Sequence, residues 1–325
     1  MKKTNIQLFI ISIAFLASCS DGFQKTKTGL KYKIFPSESG EQLNPGDLVK
    51  FQYKVIYKDS VVQSTYGTLP AFDLVDANGR HHDFSEVFSK LKVGDSLVTI
   101  QRYDSLASNP AYGVPNYLRK GQTQQSTIKI LAVYKDDPGT GASARDVAFA
   151  DYEKIVMDYK AKEIAEIEKY LTKNNIKAEK INDNFFIEIE KEGTGVKADS
   201  GKIVGINYSG AVIGGRFFDS NVDKMKQARK HNLEIFYFTA KESGAIQGIL
   251  EAITLFKVGT KAKLYIPSLQ AYGPQGTPPV VKPYENLMFE IELVSVKDKN
   301  EENEELLKKS KGKIRPKKGV GLPKK

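Results

Sequence analysis

The chain has 325 residues, and its 49 Lys and Arg residues against 39 Asp and Glu residues give a formal net charge of +10. Eleven of the basic residues belong to the two ends of the chain, nine within residues 306–325 and two at positions 2 and 3, so the remainder is close to neutral. This distribution gives no basis for a nucleic-acid partner, and none is expected. The single cysteine excludes an intramolecular disulfide, and the length is typical of two domains.

The first 18 residues have the organisation of an export signal. Lys2 and Lys3 precede an apolar run over residues 8–17, which is shorter than the roughly 20 residues that a membrane-spanning helix needs. The segment that ends in Ala17-Ser18-Cys19 resembles the cleavage box of bacterial lipoproteins, which implies that Cys19 becomes the lipid-modified first residue of the mature chain. The alternative is an ordinary signal peptide followed by an incidental cysteine. Residues 19–27 are predicted to be a polar tether.

Residues 28–137 are predicted to form a first domain around an antiparallel sheet. Polar and apolar residues alternate in four patches, a pattern typical of strands with one solvent-exposed face. The patches are residues 30–34, 49–55, 96–100 and 127–133. Turn residues such as Asn44-Pro45-Gly46-Asp47 separate them.

Residues 143–175 are predicted to form a helical linker. Ser143 and Asp146 have the spacing of a capping box, and apolar residues recur every three or four positions from Tyr152 to Leu171. Two interpretations stay open at this point. The helix either packs on the surface of one domain, or it is an arm that separates the domains or pairs with a second chain in a homodimer.

Residues 180–298 are predicted to form a second domain of the α+β class, with five or six strands and one short helix near residues 246–256. Its sequence repeats that of the first domain. The seven-residue step from Gly46 to Tyr53, for example, recurs from Gly201 to Tyr208. Matching segments lie 155 to 165 residues apart, a period too long for a solenoid, which indicates duplication of a whole domain. Residues 299–325 are predicted to be a basic, disordered tail.

Seven short segments of the second domain carry most of its aromatic residues and glycines. They are residues 207–210, 215–220, 236–238, 245–249, 258–259, 271–273 and 286–293. In this order and spacing they resemble the FKBP-type peptidyl-prolyl cis-trans isomerases. The resemblance implies two FKBP-like domains, the first one degenerate, each with a twisted antiparallel sheet and one short helix, joined by a long helix.

The resemblance also implies a proline-binding pocket lined by nine residues of the second domain. The implied catalytic residues are Tyr208, Phe218, Asp219, Phe236, Ile246, Tyr272 and Phe289, and the implied substrate-binding residues are Ile249 and Val281. In the family's arrangement, the Ile246 backbone N–H and the Tyr272 hydroxyl would donate hydrogen bonds to substrate carbonyls. Ile249 stands where the family usually has an aromatic pocket floor, which implies lower activity or looser inhibitor binding.

Isomerisation of an X-Pro bond needs no covalent step. Amide resonance sets a rotation barrier of roughly 18–20 kcal/mol. A dry pocket disfavours the planar, more polar amide, and donors aimed at the twisted amide stabilise the transition state. We therefore expect no cofactor. We also expect no metal site, because the adjacent His81 and His82 would point to opposite faces of a strand.

The first domain keeps Tyr53 and Tyr112 from this pattern but loses the acid and the aromatic walls. The sequence alignment gives Val62-Gln63 for Phe218-Asp219, Thr127 for Phe289, and approximately His81 for Ile246. Little isomerase activity is expected there. Substrate holding, dimerisation or spacing would be the remaining roles.

The function implied by the resemblance is isomerisation of X-Pro bonds in secreted or envelope proteins. The partners would be proline-containing unfolded polypeptides, and the location a bacterial membrane, the outer membrane facing the periplasm, reached through a lipid anchor at Cys19. The alternative is a non-catalytic chaperone or scaffold that binds unfolded chains. The basic tail either contacts anionic lipids or is a solvated end.

Overall fold

The computed structural model of the protein describes residues 22–108, 114–222, 229–230 and 234–299. The chain divides into two compact units, Met1–Asp151 and Tyr152–Lys325. The predicted signal peptide at residues 1–18, Cys19, Tyr112 and residues 300–325 of the predicted tail lie outside the described residues. No helix in the described ranges is long and apolar enough to cross a bilayer.

Within the described residues of the first unit, seven strands form one antiparallel sheet. The strands are β1 (Gln24–Lys25), β2 (Lys31–Phe35), β3 (Leu48–Tyr57), β4 (Ser60–Ser64), β5 (Ala71–Leu74), β6 (Ser96–Arg102) and β7 (Thr123–Tyr134). They lie in the order β1-β2-β6-β7-β3-β4, and β5 also pairs with β3. Helix α1 (Tyr103–Ala107) follows β6, and a 3-10 helix at Phe84–Lys90 packs its apolar side chains into the core of the sheet.

Part of the predicted tether at residues 19–27 is instead an edge strand. Gln24 and Lys25 pair with Tyr32 and Lys31 of β2, and the Tyr32 hydroxyl donates to Gln24 Oε1 at 2.6 Å. A turn closed by the hydrogen bond from the Thr26 amide to the Leu30 carbonyl folds the chain back onto β2. Backbone hydrogen bonds therefore attach this segment to the sheet, although its polar composition predicted an unstructured tether.

Helix α2 (Ala144–Lys173) begins at the predicted capping box, where the Ser143 hydroxyl donates to Asp146 Oδ2 at 2.6 Å. In the second unit, the later part of its apolar stripe is buried against two strands. The residues of this cluster include Ile164, Ile167 and Leu171 from the helix and Phe186 and Tyr265 from the sheet. This packing matches the interpretation of a surface helix, while pairing with a second chain stays a prediction.

The described residues of the second unit form an eight-stranded sheet that is antiparallel except for one two-residue pair. Its strands are β8 (Glu179–Ile181), β9 (Phe185–Lys191), β10 (Ile203–Val212), β11 (Phe217–Ser220), β12 (Arg229–Lys230), β13 (Phe236–Thr239), β14 (Lys261–Ile266) and β15 (Leu287–Lys297). The order is β12-β11-β10-β15-β14-β9-β8, and β13 also pairs with β10. Helix α3 (Gln247–Ala252) buries Ile249 and Leu250 in the core over this sheet.

The two units repeat one topology. In the first, β2, β6, β7, β3 and β4 are neighbours in the same order as β9, β14, β15, β10 and β11 in the second. The central strand pairs even share a register shift at the equivalent place, between Lys50 and Phe51 and between Gly205 and Ile206. The α+β class and the predicted duplication of the domain are confirmed.

The strand register corrects one predicted correspondence between the copies. In the second unit, Gly210 of β10 lies opposite Phe289 of β15. At the equivalent place in the first unit, Val55 lies opposite Ser126, so Ser126 and not Thr127 is the counterpart of Phe289. The difference of one residue matters because successive side chains of a strand point to opposite faces. The counterpart of a pocket aromatic is therefore a buried hydroxyl.

We predict that Ile167→Ala lowers the free energy of unfolding of the second unit by about 2–4 kcal/mol, because the Ile167 side chain is fully buried between helix and sheet. Met157→Ala on the same helix is the matched control, since the Met157 side chain is 71% exposed and its loss should change stability by less than about 0.5 kcal/mol. Urea denaturation followed by circular dichroism measures both. Equal midpoints for the two variants would contradict the packing of α2.

Candidate active site

The second unit contains a cavity of about 830 Å³ over the face of its sheet that carries α3. It is lined from four strands, β10, β11, β13 and β15, and from the start of α3 and the loop after β14. Seven of the nine predicted site residues line it, namely Tyr208, Asp219, Phe236, Ile246, Ile249, Tyr272 and Phe289. The other two, Phe218 and Val281, are buried in the adjoining core and do not line the cavity. The structure thus brings together residues that lie up to 81 positions apart, from Tyr208 to Phe289.

The aromatic residues of the cavity wall form a chain of inclined ring contacts. The Tyr208 ring lies 5.6 Å from that of Phe236 and 6.3 Å from that of Phe289, measured between centroids. Behind the wall, Phe218 meets Phe289 edge-to-face at 5.8 Å and Tyr272 at 6.5 Å. Edge-to-face contacts of this kind give aromatic rings a preferred orientation. Phe218 therefore supports two lining residues without reaching the cavity itself.

A glycine allows these rings to meet. A Cβ atom at Gly210 would lie 2.8 Å from ring atoms of both Phe218 and Phe289, closer than carbon atoms approach without displacement. The glycine is required here for close approach, since only a residue without a side chain leaves room for both rings. The Tyr208-Ser209-Gly210 motif on β10 consequently serves two purposes, presenting Tyr208 to the cavity and admitting the rings behind it.

Tyr208 and Asp219 form the polar pair of the site. The Tyr208 hydroxyl donates to Asp219 Oδ2 at 2.8 Å, and Asp219 Oδ1 accepts from the Ser220 amide at 2.9 Å. Burial, followed by the hydrogen bond to Asp219, raises the pKa of Tyr208 well above its usual value. The phenol is therefore protonated at physiological pH and holds the carboxylate in place as a donor.

The Ile246 backbone N–H and the Tyr272 hydroxyl are in the cavity wall, and neither has a protein acceptor among the described residues. Ile246 has an extended backbone immediately before α3, and its carbonyl is used by the amides of Ile249 and Leu250. Burial, with a smaller contribution from the charge of Asp219, raises the pKa of Tyr272, which keeps its hydroxyl protonated. Both groups can donate to a ligand in the cavity.

Asn221 is a structural residue of the site that the sequence analysis missed. Its side chain is buried, accepts from the Tyr208 amide at 2.7 Å, and donates to the carbonyls of Ile206 at 3.0 Å and Glu234 at 2.9 Å. An asparagine directly after a strand usually indicates a turn, so its sequence position carried little signal. Asn221 instead ties the segment before β13 to the strand that presents Tyr208. The other lining residues outside the predicted set are Ile206, Glu234, Ile235, Tyr237, Gly244, Ala245, Gln247 and Ala271.

The equivalent region of the first unit is built differently. Gln63 lies opposite Val55, as Asp219 lies opposite Gly210 in the second unit. Its Nε2 donates to the Tyr53 hydroxyl at 2.6 Å. An amide donor thus replaces the carboxylate acceptor, and the pair carries no charge. The Phe84 ring packs 6.1 Å from the Tyr53 ring and 5.6 Å from that of Phe51, measured between centroids. In the first unit, an aromatic side chain therefore packs beside the tyrosine that corresponds to Tyr208.

In the described ranges, no group of three or more His, Cys, Asp or Glu side chains is placed to hold a metal ion. The polar groups among its lining residues are phenols, carboxylates, side-chain amides and backbone amides, set among aromatic rings. This set of groups can bind and orient an apolar segment with polar carbonyls, and it includes no thiol or imidazole nucleophile.

Comparisons with known proteins agree with this arrangement. A family model described as FKBP-type peptidyl-prolyl cis-trans isomerase matches residues 195–294. An FK506-binding protein of Neisseria meningitidis serogroup A is 36% identical over 113 residues, which is 35% of this chain and 96% of that protein. The peptidyl-prolyl cis-trans isomerase Mip of Coxiella burnetii is 38% identical over 96 residues, 30% of this chain and only 37% of that protein.

Among solved structures, FkpA from Escherichia coli aligns with 28% identity and a TM-score of 0.36, over 48% of this chain and 67% of that one. The FKBP-type 22 kDa peptidyl-prolyl cis-trans isomerase of Escherichia coli is 33% identical over 41% of this chain and 60% of its own length. The chain thus covers less than two thirds of the length of some of these relatives, 37% and 60% for the Coxiella burnetii and 22 kDa Escherichia coli proteins.

We predict that Tyr208 ionises above pH 10.0, the usual value for a tyrosine, because burial and the hydrogen bond to Asp219 both disfavour the phenolate. The difference in ultraviolet absorbance between the wild-type protein and Tyr208→Phe, followed during an alkaline titration, isolates this group. Asp219→Asn should lower the midpoint, since it removes the charged acceptor. A wild-type midpoint at or below pH 10.0 would show that the pair does not exist in solution.

Proposed function

This chain belongs to the FKBP-type peptidyl-prolyl cis-trans isomerase family, and we propose that its second unit catalyses rotation about X-Pro bonds of polypeptides. The observation that carries the proposal is the cavity. It combines aromatic walls, a Tyr208–Asp219 hydrogen bond and the donor groups of Ile246 and Tyr272, and it forms in the segment that the family model matches.

In the proposed mechanism, the proline ring of a substrate lies among Tyr208, Phe236 and Phe289. Removal of water from the X-Pro amide disfavours its planar, more polar form. The Ile246 N–H and the Tyr272 hydroxyl donate to carbonyl oxygens of the twisted chain, and a donor that is better aligned in the transition state lowers the barrier. About 1.4 kcal/mol of such differential stabilisation gives a tenfold increase in rate. No proton is transferred.

We further propose that the substrates are unfolded segments of secreted or envelope proteins. The support is the export signal predicted at residues 1–18, with a segment before Cys19 that resembles a lipoprotein cleavage box. A relative named Outer membrane protein MIP, from Legionella longbeachae, is 34% identical over 105 residues and 41% of its length. An anchor at Cys19 would place the isomerase beside chains that have just crossed a membrane.

Non-catalytic binding of unfolded chains is the second candidate function, and an observation in the first unit favours it. Within the described residues, β4 is the last strand of its sheet, and it carries exposed apolar side chains. Val61 is 58% exposed and Val62 is 39% exposed, and the nearby Tyr66 is 43% exposed. An exposed apolar edge strand can pair with an extended polypeptide. Holding by the first unit and turnover by the second are compatible in one molecule.

We expect Asp219→Ala and Phe236→Ala each to lower kcat/KM about tenfold or more in the full-length protein, because each disturbs the wall that orients the proline. The measurement is isomerisation of a Leu-Pro peptide by exchange NMR. Gln63→Ala is the matched control, since Gln63 holds the register position of Asp219 in the first unit, and it should leave kcat/KM unchanged.

Suppression of aggregation of an unfolded client, measured on the same variants, separates the two candidate functions. Asp219→Ala should leave it intact if the first unit holds the client. If the wild-type protein shows no turnover but suppresses aggregation, the isomerase proposal is wrong and the holding function remains. If Gln63→Ala costs as much activity as Asp219→Ala, the assignment of the active cavity to the second unit is wrong.

The anchor has its own test in a bacterial host. Cys19→Ser removes the thiol that lipidation needs, so the protein should lose incorporation of labelled palmitate and move from the membrane fraction to the soluble fraction. Membrane retention equal to that of the wild-type protein would show that Cys19 is incidental, as in the ordinary signal peptide alternative.

A further inference from the structure

A buried carboxylate on helix α2 contacts the loop that carries Tyr272. Glu163 is 1% exposed, and its side chain accepts hydrogen bonds from the Ser268 hydroxyl and from the Leu269 amide, the latter at 3.3 Å. No Lys or Arg of the described chain pairs with it, and burial raises its pKa above the usual value. A buried acid without a cationic partner costs stability, so its presence at this position calls for a role.

Ser268 is the residue through which this contact reaches the cavity. Its backbone carbonyl accepts from the amide of Ala271 at 2.9 Å and from that of Gly273 at 2.8 Å, the two residues that flank Tyr272. Its own amide donates to Asn286 Oδ1 at 2.9 Å. The position of Ser268 therefore sets the position of the short turn that presents Tyr272 to the cavity.

A second contact holds the same turn from its other side. The Tyr159 ring of α2 meets the Tyr284 ring edge-to-face with centroids 5.3 Å apart, and the Tyr284 amide donates to the Gly273 carbonyl at 3.0 Å. Tyr159 and Glu163 are one helical turn apart and lie on the same side of α2. The helix thus supports the turn on both sides of Tyr272, directly at Ser268 and Leu269 and indirectly, through Tyr284, at Gly273.

We propose that Glu163 is a positioning residue, which acts through Ser268 to place the Tyr272 hydroxyl against the substrate. The proposal rests on the isomerase function proposed above. Glu163 precedes residues 195–294, which the family model matches, so the contact adds a support from outside the matched segment. The helix is suited to this task because Ile164 and Ile167, next to Glu163, are buried against the sheet. Displacement of a substrate-positioning group by about 1 Å can lower a rate by roughly a hundredfold.

The test is a double-mutant cycle in the full-length protein, with kcat and KM measured on a Leu-Pro peptide. Glu163→Ala should lower kcat/KM about tenfold, mainly through kcat. In a Tyr272→Phe background the same change should cost less than about twofold, because the hydroxyl that it misplaces is already absent. Glu163→Gln keeps an oxygen acceptor for the Ser268 hydroxyl and should restore most of the activity. Glu166→Ala, at a 56% exposed side chain on the same helix, is the matched control.

Equal losses from Glu163→Ala in both backgrounds would overturn the proposal, because a general loss of stability acts regardless of Tyr272. If Glu163→Ala does not fold, Ser268→Ala removes the same hydrogen bond from the other partner and replaces it in the cycle.

A readout independent of activity is the ¹⁹F spectrum of protein labelled with 3-fluorotyrosine, in which Tyr272→Phe identifies the Tyr272 resonance. Glu163→Ala should shift that resonance, and Glu166→Ala should not. If the wild-type protein shows no turnover but Glu163→Ala still shifts the Tyr272 resonance, the positioning contact is supported and the isomerase function is rejected. If Glu163→Ala leaves the resonance unmoved, the contact is rejected.

Discussion

The cavity of the second unit depends on a steric constraint at one backbone position. Gly210 has no side chain, so the rings of Phe218 and Phe289 can meet where a Cβ atom would lie 2.8 Å from both. Phe289 then supports Tyr208, and Phe218 supports Tyr272. The Tyr208–Asp219 hydrogen bond and the donor groups of Ile246 and Tyr272 lie around these rings. Because the interior is closely packed, any side chain at this glycine would displace several walls of the cavity together.

The first unit shows the same fold without that constraint. Its sheet has the same strand order and the same register shift, yet Val55 stands at the position of Gly210 and Ser126 at that of Phe289. Gln63 and Tyr53 keep the geometry of a polar pair while reversing its donor and acceptor. These side-chain changes leave the backbone hydrogen bonds of the sheet in place. They do change the side chains that form the cavity in the second unit. Fold and site are therefore separable within one chain.

Much of the architecture could be predicted from local patterns. Period-two alternation indicated the strands, helical spacing indicated α2, and motif order indicated seven residues that line the cavity. The errors have a common origin. Each depends on which strands are neighbours and in what register they pair. The cases are the one-residue displacement of the Phe289 counterpart, the pairing of Gln24 and Lys25 with β2, and the place of Phe218 behind the wall. Neighbouring strands are set by packing across the sheet, which local periodicity does not record.

The sequence by itself determined the duplication, the α+β class and the residue types of the site, because these depend on spacing along contiguous chain. Only the tertiary structure decided which side chains face the cavity, that Asn221 ties Tyr208 to the segment before β13, and that Glu163 supports the turn of Tyr272. Glu163 and Ser268 are 105 positions apart, and neither belongs to a motif that would connect them. Their contact exists because α2 buries its apolar stripe on the second sheet, which brings the carboxylate to the loop.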